Sequence, residues 1–102
     1  MSDLIHVRLD LSADEPHTVR YADTYEGLDA IWYRFSADGE GNVDLWATPD
    51  GFEHLARLFL KLARGSKVPG YHGHHALEFG AEPVTSGPEL TIGVVESPAD
   101  VV

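Results

Sequence analysis

Residues 48–65 read as one bounded amphipathic helix, and this segment constrains the fold more than any other part of the chain. Thr48 is a favourable N-cap, and Pro49 suits the first helical position, where a backbone N–H would be unpaired anyway. Gly65 marks the C-terminal stop. Apolar residues at helical spacing predict that the buried stripe consists of Phe52, Leu55, Ala56, Phe59, Leu62 and Ala63.

The other side of this helix carries the basic residues His54, Arg57, Lys61 and Arg64. We expect that side to face water, with Glu53 and Arg57 paired four residues apart. Basic residues near the C-terminal end also suit the helix dipole.

Two segments before the helix have the composition of strands. Residues 4–11 alternate strictly, with Ile5, Val7, Leu9 and Leu11 on one side. That pattern is typical of a strand with one buried face. Residues 18–22 predict a second, weaker strand.

Residues 28–47 predict a β-hairpin, because apolar residues alternate on both sides of a Gly-rich turn. A three-residue loop at 38–40 would pair Tyr33 with Leu45 on the inner face. On the outer face it would place Arg34 opposite Asp44 and Trp32 opposite Trp46.

Two further strands are predicted after the helix, at residues 74–79 and 90–95. The predicted order is β-β-β-β-α-β-β. We therefore expect an α+β fold in which a largely antiparallel sheet of about six strands packs on one long helix. The 102 residues are expected to form a single domain (residues 1–102), with a frayed tail from residue 97.

The chain is strongly acidic, with a net charge of −10 at pH 7. Residues 1–50 contain eleven acids and three arginines, whereas residues 51–70 contain one acid and four basic residues. Such a charge disfavours binding to nucleic acid or to an anionic membrane. The chain shows no signal-peptide pattern and no membrane-spanning apolar run, so we expect a soluble cytoplasmic protein.

His72 and His74 are two residues apart, which places both side chains on one face of an extended segment. Two imidazoles can chelate zinc or nickel, so a histidine-based metal-binding protein is one hypothesis. A third ligand would come from His6, His17, His54 or Glu78. The alternative is a structural or surface cluster, because no metal motif accompanies it and the chain contains no cysteine.

Trp32, Arg34, Asp44 and Trp46 form a second candidate site, on the outer face of the predicted hairpin. Tryptophan and arginine are enriched at the energetic centres of protein interfaces. These residues therefore indicate a protein-binding surface or a homodimer face, with Asp44 steering the encounter. The alternative is that a loop, or the segment around Tyr21 and Tyr25, covers both indoles as a minor second core.

Catalytic patterns are weak in this sequence. Neither the nucleophile elbow GxSxG nor HExxH occurs, and the Gly39-Glu40-Gly41 turn is not followed directly by a helix. We therefore expect a protein without a catalytic site or a cofactor. The alternative is an accessory enzyme whose pocket lies between the helix and the loops.

The run VDLWATPDGFEHLARLFLKLA, followed by GYHGHHALEF and a closing ELTIGVV, spans roughly residues 42–95. In size, charge and this pattern the chain resembles the small acidic immunity proteins of bacterial polymorphic toxin systems. The resemblance implies a cytoplasmic inhibitor that binds and masks a cognate toxin. It carries over no binding residue, because no family motif is specific enough to match.

Overall fold

The computed structural model describes residues 3–12, 19–65, 70–80 and 89–101. Its helices and strands, in chain order, are α1 Ala22–Tyr25, β1 Tyr33–Ala37, β2 Val43–Ala47, α2 Pro49–Arg64, β3 His72–Ala76, β4 Glu78–Phe79 and β5 Glu89–Gly93. A single 3₁₀ turn at Pro98–Asp100 follows them. The α+β class with antiparallel pairing is confirmed.

The strands of the described residues form two small sheets, so the prediction of one sheet of about six strands is wrong. Sheet A has the order β2-β1-β4, and sheet B pairs β3 with β5. The predicted strand at 74–79 is broken at Leu77, where the chain passes from sheet B to sheet A. The carbonyl oxygen of Leu77 accepts a hydrogen bond from the Phe35 N–H at 2.8 Å.

The predicted hairpin exists, but its register is shifted by two residues. Tyr33 lies opposite Ala47, and Phe35 lies opposite Leu45. The loop has five residues (38–42) because the Asp38 carboxylate accepts the backbone N–H groups of residues 40 and 42. A shift of two leaves every side chain on its predicted face and changes only its neighbours.

The two predicted N-terminal strands are absent from the described residues. No strand is assigned in residues 3–12, where Ile5 is 87% exposed. Residues 19–21 are also not a strand, and a helical turn, α1, follows them at Ala22–Tyr25. Thr18 lies outside the described residues. Alternation predicts which side chains share a face, but it does not supply the neighbouring strand that a β-strand requires.

The predicted bounds of α2 are confirmed, since the helix runs from Pro49 to Arg64. The Thr48 hydroxyl accepts the Gly51 N–H at 3.0 Å, and the Gly65 N–H donates to the Lys61 carbonyl at 2.9 Å.

The predicted orientation of α2 is wrong. Leu55 and Leu62 are buried as predicted, and Leu58 is buried beside them. The residues predicted to be buried that are instead exposed are Phe52, Ala56, Phe59 and Ala63. Conversely, His54 and Lys61, which were predicted to face water, are each only 3% exposed.

The helix has this orientation because its basic side docks onto α1. The Lys61 ammonium forms a salt bridge with the Asp23 carboxylate, and the Arg57 guanidinium donates to the Glu26 carbonyl oxygen at 2.7 Å. Burial would raise the pKa of Asp23, but hydrogen bonds from Lys61 and from the backbone N–H of Asp10 hold it below its usual value. A buried ammonium without such a partner would be costly, so these contacts fix which side of α2 faces inward.

His54 continues the same interface inside an aromatic cluster. Its Nδ1 lies 3.3 Å from the Thr24 carbonyl oxygen, and since a carbonyl only accepts, Nδ1 carries the proton. The imidazole stacks on Tyr25 at 4.4 Å and faces the rings of Tyr33 and Phe79. Burial lowers the pKa of His54, so the ring is neutral where it packs.

Sheet B packs on the C-terminal half of α2. Leu58, Leu62 and Tyr71 form a buried cluster, and partly buried apolar residues surround it, namely Val19, Tyr21, Ile92 and Val94. No helix within the described residues is long and apolar enough to cross a membrane. Residues 97–100 form a Ser97/Asp100 capping box and are exposed; whether the tail frays in solution stays a prediction.

We predict that Asp23→Ala lowers the free energy of unfolding by about 3 kcal/mol, because it leaves the Lys61 ammonium buried and unpaired. Lys61→Met keeps the apolar stem and leaves Asp23 partly solvated, so its effect should be smaller. Urea denaturation measures both. Asp44→Ala, an exposed carboxylate, is the control and should stay within about 0.5 kcal/mol. A loss below about 1 kcal/mol for Asp23→Ala would show that the salt bridge does not orient the helix.

Candidate functional site

The solvent-facing side of sheet A carries a row of four large side chains. Register pairing places Trp46 on β2 beside Arg34 on β1, and Arg34 beside Glu78 on β4. Alternation puts Trp32 on the same face, one position before β1. We call Trp32, Arg34, Trp46 and Glu78 the tryptophan-arginine row.

Trp32 is held in place by a direct contact with the neighbouring strand. Its indole Nε1–H donates to the Glu78 carboxylate at 2.8 Å. The Arg34 guanidinium carbon lies 5.8 Å from the centre of the Trp32 ring, within the range of a cation–π interaction. The half-buried indole and the arginine therefore hold a defined arrangement without a partner.

The N-terminus of α2 fixes the backbone that carries Trp32. The Thr48 hydroxyl accepts the Trp32 N–H at 3.1 Å, while the Asp50 carboxylate accepts the Ala30 N–H at 2.9 Å. Gly51 permits this close approach, because a Cβ at that position would overlap the Trp32 carbonyl oxygen. The helix cap and the candidate site are thus one connected unit.

Trp46 is the most exposed aromatic side chain of the row, with 61% of its surface accessible. The structure brings the four predicted residues Trp32, Arg34, Asp44 and Trp46 to one face, as the alternation predicted. It corrects their pairing, because Arg34 rather than Trp32 lies opposite Trp46, and Asp44 lies opposite Ser36. The pairing differs from the prediction because the hairpin loop has five residues instead of three.

The alternative in which the segment around Tyr21 and Tyr25 covers the indoles does not hold for the described residues. Tyr25 stacks on His54 and Phe79 in the aromatic cluster. Tyr21 packs against the core beneath sheet B. Trp46 is 61% exposed, so this segment does not cover both indoles.

The charges on this face are mixed. Arg34 lies between Trp46 and Glu78 in the register, and Asp44 is exposed on the same side. Such a surface can stack an aromatic or apolar group on Trp46, and it can hydrogen-bond through the Arg34 guanidinium.

Glu78 is the member of the row that sequence reasoning placed elsewhere, as a possible metal ligand. The sequence did indicate that Glu78 lies on the outer face, because it alternates with Leu77 and Phe79. The sequence did not show which strand lies beside Glu78, because β4 pairs with a strand more than forty positions earlier in the chain.

His72 and His74 do lie on one face of β3, with ring centres 5.4 Å apart, and both are exposed. The His74 Nδ1 lies 3.3 Å from the Glu89 carboxylate and 3.2 Å from the Thr91 hydroxyl. Two imidazoles are half of a tetrahedral zinc site.

The proposed third ligands do not complete a metal site within the described residues. His54 is buried in the aromatic cluster, Glu78 binds the Trp32 indole, and His17 lies outside the described ranges. In the part of the chain that is described, no group of three or more His, Cys, Asp or Glu side chains is arranged to hold a metal ion. The zinc or nickel hypothesis stays a prediction without a ligand set.

Two buried polar atoms lie together beneath sheet B, where a Cβ on Gly73 would meet both the Tyr71 hydroxyl and the His75 Nε2. Neither atom has a hydrogen-bond partner among the described residues. Burial raises the pKa of Tyr71 and lowers that of His75. Both groups are therefore neutral near pH 7.

Comparisons with protein-family models, with curated proteins and with solved structures found no match to this chain. The resemblance to immunity proteins therefore stays a prediction.

We predict that Glu78→Ala increases the acrylamide quenching of Trp32, because the indole loses its hydrogen-bond acceptor. The measurement is made in a Trp46→Phe background, where Trp32 is the remaining tryptophan of the two in the chain. Glu78→Gln keeps an acceptor and should restore much of the protection. Glu89→Ala removes an exposed carboxylate of sheet B and is the control. Equal quenching in all three variants would mean that Glu78 does not hold Trp32.

Proposed function

We propose that this chain is a non-enzymatic binding protein that acts in the cytoplasm by masking a protein partner, and that the partner is a toxin. The observation that carries the proposal is the tryptophan-arginine row on the solvent-facing side of sheet A. The row presents an exposed indole beside an arginine that stacks on a second, fixed indole.

The preorganisation of the row supports this function. A flexible side chain loses rotamer freedom when it is immobilised in an interface, at a cost of about 0.5–1.5 kcal/mol each. Trp32 is already held by Glu78, and Arg34 already lies over its ring. Binding therefore leaves Trp46 as the main side chain of the row to be ordered.

The charge of the chain indicates a basic partner. Its net charge of −10 repels acidic surfaces and accelerates encounters with basic ones. Asp44 and Glu78 bring this negative charge to the row itself. A basic toxin bound over sheet A would be masked by contact and would need no chemical modification.

Affinity capture with the tagged chain, followed by mass spectrometry, would identify a stoichiometric partner. We predict that Trp46→Ala weakens binding by about 30-fold, the equivalent of a 2 kcal/mol interface hot spot. Phe52→Ala removes an exposed aromatic ring from a different surface and is the matched control, with an expected change of less than about threefold. The association rate should fall when salt rises from about 0.01 M to about 0.15 M, because screening weakens the steering.

Two results would contradict the proposal in different ways. Equal binding by Trp46→Ala and wild type would place the partner on another surface. A partner that binds through Trp46 but keeps its full toxic activity in the complex would support a binding protein and reject the masking role.

A further inference from the structure

Helix α2 has an apolar surface that the fold leaves exposed. Phe52 and Phe59 are 49% and 45% exposed, and Ala56 and Ala63 are exposed between and beyond them. Leu60 borders the same surface and is also exposed. We call Phe52, Ala56, Phe59 and Ala63 the α2 seam. The apolar surface of α2 is therefore wider than the part that is buried in the core.

The spacing of the α2 seam is that of a helix pairing surface. Its residues follow one another by four, three and four positions, which is the spacing of the core positions in a coiled coil. No charged residue interrupts the series. A seam of this kind fits another α-helix along its length better than it fits a sheet or a small ligand.

The α2 seam is complementary to itself when it is read in the opposite direction. The order large, small, large, small becomes small, large, small, large. In an antiparallel pair of α2 helices, Phe52 of one copy lies opposite Ala63 of the second copy, and Phe59 lies opposite Ala56 of the second copy. A two-fold axis relates these contacts, as in an isologous dimer. Each phenyl ring meets a small residue, so the helices can approach closely.

We propose that this protein forms an antiparallel homodimer through the α2 seam. The surface is separate from the tryptophan-arginine row, and the proposal does not depend on the toxin-masking function. With a rise of about 1.5 Å per residue, the seam spans roughly 17 Å of helix. Contact over this length is small beside a standard interface of about 1,600 Å², so we expect a weak dimer that forms as the protein concentration rises.

The charge of the chain gives this dimer a distinctive response to salt. Each copy carries a net charge of −10, so two copies repel each other over long distances. Dimerisation should therefore strengthen with added salt, opposite to the weakening expected for a basic partner on sheet A.

Sedimentation equilibrium of the full chain tests the proposal, over about 1 µM to about 1 mM protein. The expected result is a reversible monomer–dimer equilibrium that is tighter in about 1 M than in about 0.01 M sodium chloride. Phe59→Asp should weaken it at least about 30-fold, because the variant would bury a charge in the seam. Trp46→Ala is the control and should leave the dimer unchanged. Since Phe59 is exposed in the monomer, circular dichroism should show that Phe59→Asp still folds.

Disulfide trapping tests the direction of the helices, because the chain contains no cysteine of its own. Mixing Phe52→Cys with Ala63→Cys should give predominantly the mixed disulfide dimer, whereas a parallel pair would join Phe52→Cys to itself. A monomer at every concentration and salt would overturn the proposal. So would a dimer that survives Phe59→Asp, a dimer lost in Trp46→Ala, or a seam that captures a different protein while the free chain stays monomeric.

Discussion

The salt bridge between Lys61 and Asp23 is the interaction on which the rest of the structure depends. Together with the hydrogen bonds that Arg57 and His54 make to carbonyl oxygens of residues 24 and 26, it docks the basic side of α2 onto α1. Removing one partner would leave a charge or a polar group buried without compensation. This requirement sets the rotation of α2, and the rotation decides which apolar residues reach solvent.

The sequence predicted the elements of this fold better than their contacts. Thr48, Pro49 and Gly65 defined α2 because caps are local chemistry. The orientation of α2 was not predictable in the same way, because Lys61 reads as a solvent-facing residue until Asp23 is known to lie beside it. The predicted strand at residues 18–22 ends where α1 begins, and no local signal showed that the carbonyl oxygens of residues 24 and 26 would accept hydrogen bonds from a helix thirty or more residues away.

The sequence predicted which residues share the face of the candidate site, but it did not predict which of them lie opposite one another. Alternation alone placed Trp32, Arg34, Asp44 and Trp46 on one face, and a two-residue change of register preserved that result. Glu78 could not be added, because its position beside Arg34 depends on β4 joining sheet A after the break at Leu77. The two surfaces follow from the same packing, since the N-terminus of α2 holds the Trp32 backbone while the far side of the helix presents the α2 seam.

The orientation of α2 can be measured directly by thiol labelling, because every introduced cysteine would be the only one in the chain. Ala56→Cys lies on the outward side and Leu58→Cys on the inward side, and both are labelled in dilute protein whose folding is verified by circular dichroism. We expect Ala56→Cys to react at nearly the rate of an unfolded peptide. Leu58→Cys should react about a hundredfold more slowly, which corresponds to an opening free energy of about 2.8 kcal/mol. Rapid labelling of Leu58→Cys with protection of Ala56→Cys would show that the basic side of α2 faces water, and would contradict the orientation that the Lys61–Asp23 salt bridge sets.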